Sequence, residues 1–460
     1  MDASTYIERR RALRQAVPDG AILIMGNDEA PKNYVDNPYP FRQDSHFLYY
    51  VGVPRPGMAA LLVPGGHDAL YGPADHPDDV VWHGPHPVLG DHAVAAGFDR
   101  HASVEGLAGV LEELIRSGVA VHYLPPYRDS RRMRLAALLG RDPRDIDTGV
   151  SGALVRAVAA QRSAKSDAEV AEMEDALEVT AAMYRAAFRG VRPGRTEAEI
   201  AAAIQAEALR HDLQQAFAPI VSVRGEVLHN HSYGNTLADG DLLVIDSGAE
   251  SAGGYASDIT RTLPVSGVFD PRQREIYDIV LAAQTAAIDA AAPGVNNREL
   301  HLIAARTVAE GLIDLGLMRG DAADAVEAGA HALFFVHGLG HMLGLDAHDM
   351  EDLGDIVGYP EGEGRSEQFG LNFLRLARPL EPGWVITVEP GIYFIPALFE
   401  RWRDRGHCGE FIDYDRVASY LGFGGIRIED DVLITADGHR VLGAGIPKTT
   451  ADVEGAMAEA

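Results

Sequence analysis

Five short stretches place acids or histidines where strands would not normally carry them. They are LLVIDSG with Asp246, YASDITRT with Asp258, FFVHGLGHMLGLDAHD with His337, His341 and His348, WVITVEPGIY with Glu389, and GIRIEDDVLIT with Glu429. Strands are half buried or more and are depleted of charged residues. An acid that closes a run such as LLVI or VITV is therefore costly unless it is paired or binds a cation. Four carboxylates and one imidazole form a hard, oxygen-rich donor set without thiolate, suited to Mn²⁺, Mg²⁺ or a similar ion. Four acids exceed the needs of one divalent ion but suit two ions that share carboxylates. Such a pair can generate a hydroxide and polarise a carbonyl together. Metal-assisted hydrolysis is the chemistry these residues point to. His337 and His341 also have the H-x-x-x-H spacing of zincins, but Gly338 stands where the catalytic Glu would be. Two glycines in that stretch argue for a hinged loop, not a helix.

These residues must be positioned by a strand-and-helix framework, and the chain shows a faint internal repeat that could supply one. Pro193-Gly194-Arg195-Thr196 with Glu199 matches Pro293-Gly294-Val295-Asn296 with Glu299. Each is a Pro-Gly turn followed by an N-cap residue with Glu three positions on. DGDLLVIDSG (239–248) matches PGWVITVEPG (382–391), so that Asp246 falls on Glu389 and Gly248 on Gly391. The expectation is two pseudo-symmetric α/β halves, each offering a carboxylate from a strand end to a shared cleft. Upstream, AILIMGN, HFLYYVGV, MAALLVPGG and VAVHYLPP read as strands of a mixed α/β domain, with helices near 5–16, 103–117 and 130–140. Ser166-Asp167-Ala168-Glu169 has the form of a capping box opening a helix that Gly190 can end. The domain boundary is expected near 155–165, giving an α/β protein of two domains, 1–160 and 161–450.

Composition narrows the function classes. The chain has 460 residues, 47% of them apolar, and a formal net charge of −28. At roughly 150 residues per domain, two or three domains are expected. A polyanion of this size is a poor match for nucleic acid or anionic lipid surfaces. Cys408 is the single cysteine, which excludes an internal disulfide and a Cys-based zinc site. The first twenty residues hold no apolar stretch of signal-peptide length, and no run approaches the ~18–20 apolar residues of a spanning helix. A cytoplasmic protein with neither nucleic-acid nor membrane partners is expected.

The ordered set LHNH, DGDLLVIDSG, SDITRT, HGLGHMLGLDAHD, TVEPGIY and GIRIEDD resembles the proline-specific metallopeptidases of the pita-bread fold, above all the aminopeptidase P (Xaa-Pro aminopeptidase) family. YPFRQDSHFLYYVGV is similar to that family's N-terminal, creatinase-like domain. The resemblance implies a peptide substrate with proline in second place, two Mn²⁺ (Co²⁺, Zn²⁺ or Mg²⁺ as substitutes) and a homo-oligomer. Carried over by motif, Asp246 binds one ion, Asp258 and Glu429 bridge both, and His341 and Glu389 complete the shell of the other. Glu389 is implied as general base, and His229, His337 and His348 as holders of the scissile carbonyl. Arg427 is implied as the arginine that fixes an acidic ligand. LHNH offers both His229 and His231; His229, ten residues before Asp239, is preferred. The spacing from Asp246 to Asp258 is one residue longer than expected, through Ser251-Ala252-Gly253-Gly254. The alternatives are a dipeptide-only prolidase, in which Arg365, Arg375 or Arg378 of 351–381 would read a terminal carboxylate, and a metal-free binding module. The N-terminal domain, with Arg42 and Asp44 of FRQDSHF, is a further candidate to cover the cleft, from the same or a neighbouring subunit.

Overall fold

The computed structural model describes residues 1–65, 68–443 and 445–459, which fall into two compact units. The first comprises Met1–Arg162 with Met350–Gly354, and the second Ser163–Asp349 with Asp355–Ala460. Among the described residues no helix is long and apolar enough to cross a membrane.

The first unit is built on a five-stranded sheet of order β4-β3-β2-β1-β5. Its strands are β1 (Ala21–Met25), β2 (Ala59–Leu62), β3 (Ala69–Gly72), β4 (Arg100–Ser103) and β5 (Val121–His122). The β1–β2 and β2–β3 pairs are antiparallel, whereas β3–β4 and β1–β5 are parallel. Every residue of β1 is buried, as expected for a strand covered on both faces. Helices α1 (Ala3–Ala16), α2 (Ser45–Val51), α3 (Asp79–His83), α4 (Leu89–Ala95), α5 (Leu107–Arg116), α6 (Asp129–Leu139) and α7 (Gly152–Ser163) complete it. Leu107, Leu111, Leu135 and Leu139 of α5 and α6 pack on Leu23, Leu61 and Tyr71 of the sheet.

One expected strand is a helix. HFLYYVGV begins inside α2, because Asp44 caps its N-terminus, accepting from the Phe47 amide at 2.8 Å. Gly52 ends it in the left-handed region at φ 69°, which glycine adopts without a Cβ penalty. Two caps flanking seven residues override the strand-like composition. Asp44 is itself buried and paired with Arg131 at 2.7 Å, so it is a structural cap and not an exposed residue. The expected strand MAALLVPGG is β2, although Gly66 at its end lies outside the described residues.

The second unit repeats a pattern. In its first half α8 (Asp167–Gly190) and α9 (Glu197–Arg210) precede an antiparallel sheet of β6 (Ile220–Ser222), β7 (Leu242–Ser247) and β8 (Ile259–Pro264). In its second half α10 (Pro271–Ala290) and α11 (Asn297–Asp314), then α12 (Ala322–Glu327), precede β9 (Val385–Val388) and β10 (Gly391–Tyr393). The chain continues through α13 (Pro396–Arg405), α14 (Tyr414–Ala418), β11 (Gly425–Arg427), β12 (Asp430–Ile434), β13 (His439–Val441) and α15 (Thr450–Ala458). β12 lies between β9 and β13, and β10 pairs with β11.

The two Pro-Gly turns make equivalent hydrogen bonds. The Gly194 amide donates to the Leu237 carbonyl and the Gly294 amide to the Leu380 carbonyl, both at 2.8 Å. One turn on, Glu197 donates to Asn235 and Asn297 to Arg378, each at 3.0 Å. The Thr196 hydroxyl accepts from the Glu199 amide at 3.2 Å while the Glu199 carboxylate accepts from Thr196, a complete capping box. In α8 the Ser166 amide donates to Glu169 at 2.9 Å. Each turn thus fixes a helix start against the segment that leads into its half's acid-bearing strand.

Candidate metal centre

Asp246 is the fifth residue of β7, and Glu389 follows the last residue of β9. Asp258 immediately precedes β8, and Glu429 immediately precedes β12. Cross-links between the halves bring these strand ends together. The Glu429 amide donates to the Thr260 carbonyl and the Asp258 amide to Asp431, each at 3.1 Å. The Arg427 amide donates to the Thr262 hydroxyl, which in turn donates to the Arg427 carbonyl at 3.0 Å.

His341 enters from a loop laid against β9. Its amide donates to the Thr387 hydroxyl, and the Thr387 amide donates to its carbonyl at 2.9 Å. That pairing needs Gly340, where a Cβ would run into the Thr387 carbonyl oxygen. The stretch between His337 and His348 contains no helix, in agreement with the loop expected from its glycines.

Donor atoms of Asp258, His341 and Glu429 lie within 4.8 Å of one another, and all three side chains are buried. His341 Nε2 is 3.6 Å from both Asp258 Oδ2 and Glu389 Oε1. Its Nδ1 bonds the Met342 carbonyl at 3.0 Å, which places the proton there and turns the Nε2 lone pair to the acids. Asp246 Oδ1 and Asp258 Oδ1 are buried without hydrogen-bond partners. Four carboxylates, two of them buried and two partly buried, repel one another strongly without a cation. Burial and the neighbouring carboxylates push Asp258 and Glu429 well above the ordinary carboxylate range. Burial, opposed by Arg427 and reinforced by Asp246, pushes Glu389 up to about 8. The orphaned oxygens and the mutual repulsion are both relieved by divalent cations, so this donor set fits the ions that its chemistry calls for.

The supporting groups have defined partners. Arg427 Nη2 donates to Asp246 at 2.7 Å, Nη1 to the Tyr393 hydroxyl at 3.0 Å, and Nε to the Thr260 hydroxyl at 3.1 Å. The Thr260 hydroxyl donates to Glu429 at 2.7 Å. His337 Nδ1 bonds the Gly338 carbonyl and its Nε2 meets the Tyr393 hydroxyl, both at 2.8 Å. Burial and the Arg427 cation push the His337 imidazole down to about 3, so it is neutral. His348 packs edge-on against His341, ring centroids 4.3 Å apart.

His229 lies on a loop with its ring only partly shielded from solvent, and that partial shielding, with the Arg427 and Arg375 cations, lowers its basicity; Asp246 and His348 also act on it. His231 is exposed. The longer Asp246–Asp258 connection is taken up in a turn whose Ser251 hydroxyl and Gly253 amide donate to Glu172, away from the acids.

Tyr393 and Thr260 escaped sequence reasoning, although both sit in the motifs TVEPGIY and SDITRT. Of the three candidate arginines, Arg375 acts electrostatically on Glu389, His229 and His337. Arg365 instead pairs with Asp355 at 2.8 Å. Arg378 donates to the Val357 carbonyl and lies over Trp384.

The chain belongs to metallopeptidase family M24, whose profile matches residues 171–436. Residues 6–122 match the profile of the aminopeptidase P N-terminal domain. Among individual proteins, the chain is 33% identical to the Xaa-Pro aminopeptidase of Haemophilus influenzae, over 98% of this chain and 96% of that one. It is 30% identical to the Xaa-Pro dipeptidase of Homo sapiens, over 96% and 90%. The structure of Pseudomonas aeruginosa aminopeptidase PepP superposes with a TM-score of 0.83 at 31% identity, covering 100% of this chain and 98% of that one.

Proposed function

We propose that this chain is an Xaa-Pro aminopeptidase, a metal-dependent exopeptidase that hydrolyses the bond before a proline in second position and releases the N-terminal residue. The observation that carries the reading is the cluster of Asp258, His341 and Glu429 donor atoms drawn from both halves, with Glu389 3.6 Å from His341 and orphaned oxygens on Asp246 and Asp258, in a chain that matches an Xaa-Pro aminopeptidase over 98% of its length.

Asp246, Asp258, His341, Glu389 and Glu429 would together hold two divalent ions. When bound, such ions would lower the pKa of a water molecule and polarise the scissile carbonyl. Glu389 accepts the proton of the attacking water. His229, His337 and His348 hold the carbonyl oxygen as it gains charge, and Arg427 orients Asp246. His337 enters this reading with both nitrogens engaged, so its contact with substrate requires exchange of the Tyr393 hydroxyl. An Xaa-Pro bond is a tertiary amide with no N–H and a fixed φ, and a site of metals and histidines needs no such N–H.

The finer assignments follow from chemistry and kinship. Oxygen-rich donors favour Mn²⁺, with Co²⁺, Zn²⁺ or Mg²⁺ as substitutes. Residues 1–160 form a non-catalytic domain and 161–450 the catalytic one, which holds all nine assigned residues. A single cysteine suits a reducing cytoplasm. The exposed Val81 and Trp82 on α3 suit burial in a homo-oligomer.

Arg375 supports a second reading, a dipeptidase in which this cation reads the carboxylate of an Xaa-Pro dipeptide. The test compares Mn²⁺-loaded protein on Xaa-Pro and Xaa-Pro-Yaa, with a chelated control. Release of the first residue from the tripeptide supports the aminopeptidase, cleavage of the dipeptide alone supports the dipeptidase, and metal binding without either defeats both.

A further inference from the structure

His341 and His348 reach the centre by different means. His341 is held in register by its pairing with Thr387, extended by the Leu343 amide donating to the Val385 carbonyl at 2.9 Å. His348 lies seven residues on, in a turn beyond that pairing. The turn is closed at its base by the Asp349 amide, which donates to the Met342 carbonyl at 2.9 Å. The orientation of His348 therefore depends on where Asp349 is fixed.

Asp349 is fixed by Lys165. The two side chains are each 1% exposed, with Lys165 Nζ 3.0 Å from Asp349 Oδ2. Lys165 Nζ also donates to the Ser163 carbonyl at 3.2 Å. The other Asp349 oxygen accepts from the Asp346 amide within the same turn, and Gly344 leaves room for this carboxylate, where a Cβ would meet it. The Lys165 amide donates to the Gly383 carbonyl at 2.7 Å, and Gly383 donates to Ile434 at 2.8 Å, just before β9. One residue therefore anchors both the base of the His348 turn and the entry to the strand that carries Glu389. A buried ion pair contributes little net stability over an apolar replacement of the same shape, so what this pair supplies is read from the geometry it fixes.

We propose that Lys165 and Asp349 are positioning residues for catalysis, holding His348 at the angle from which it meets the substrate carbonyl. The inference rests on the role assigned to His348 above. It is tested with K165M, D349N and the double variant K165M/D349N, measuring metal content, thermal stability, kcat and KM. Each single variant removes one side of a buried ion pair and is expected to lower stability. The double variant removes both charges and is expected to recover much of the stability while kcat stays 10- to 100-fold down. Its KM is expected within about threefold of wild type and its metal content unchanged, since His341 keeps its register. A double variant that regains wild-type kcat along with its stability overturns the proposal, as does a single variant with undiminished kcat. Wild-type protein inactive on Xaa-Pro peptides would defeat the parent reading instead. The histidine ring resonances of labelled protein then decide the positioning claim: a shift of the His348 signals in the double variant supports it, and unchanged signals overturn it.

Discussion

The Arg427 guanidinium holds one oxygen of Asp246 at 2.7 Å and leaves the other buried with no hydrogen-bond partner. A carboxylate turned this way presents one oxygen to an ion while the other is fixed from behind. The same guanidinium reaches Tyr393 and, through Thr260, Glu429, so one cation orients donors from both halves. Partners of this kind typically affect metal affinity or activity by about 10- to 100-fold. R427M is expected to lower kcat/KM and metal occupancy by that order, read from steady-state kinetics and elemental analysis of the dialysed protein. Unchanged occupancy and kinetics would remove Arg427 from the site.

Glu389 sits at the end of β9 beside His341, and its replacement separates proton transfer from folding. E389Q should keep the thermal stability of the parent while kcat falls by about 10²- to 10⁴-fold, the usual contribution of a general base. H341A should instead lose bound metal. An active E389Q enzyme would defeat the general-base assignment, and full occupancy in H341A would show that His341 is not a ligand.

The acids make metal loading a proton-coupled event. Without metal, Glu389 is pushed up to about 8 and so holds a proton at neutral pH, while Asp258 and Glu429, pushed up by burial and by one another's charge, bind protons more tightly than free carboxylates do. A cation must displace those protons to bind. Affinity should therefore rise with pH up to about 8. Calorimetric titration with Mn²⁺ at pH 7, in buffers of different ionisation enthalpy, should show net proton release. Buffer-independent heats would contradict this account.

A separate pH effect arises away from the acids. His301 and His331 are fully buried, their ring centroids 6.1 Å apart, and none of their four ring nitrogens has a hydrogen-bond partner. Burial pushes His331 down to about 4 from its ordinary 6.5. Below pH 6.5 the unfolded chain binds the proton that the folded one refuses, so the stability contribution is present above that pH and declines as pH falls toward 4. For His331 alone the loss between pH 7 and 5 is about 2 kcal/mol. Urea unfolding at the two pH values should show this slope and its flattening in H331L; equal slopes would place the titration elsewhere.

Much of the catalytic half could be read directly, because strong local rules and chemical cost point the same way. The capping residues Ser166 and Thr196 open helices where expected, and the Pro-Gly turns mark a repeat that the hydrogen bonds of Gly194 and Gly294 reproduce. The run 45–51 was misleading because its aromatic and β-branched residues suit a strand, whereas Asp44 and Gly52 act only through the backbone angles they impose. Arg365, Arg375 and Arg378 are equivalent in a sequence and differ only in what lies across from them.

By itself the sequence determined the donor types, their order and the strands that end in them, since a charge closing an apolar run announces its own cost. Which oxygen of Asp246 is left unpaired, that Tyr393 stands between His337 and Arg427, and that Lys165 closes on Asp349 were decided only by the tertiary structure. These relations join residues 34 to 184 positions apart. A hydroxyl, an ammonium or a guanidinium carries no local signal of the partner that folding brings to it.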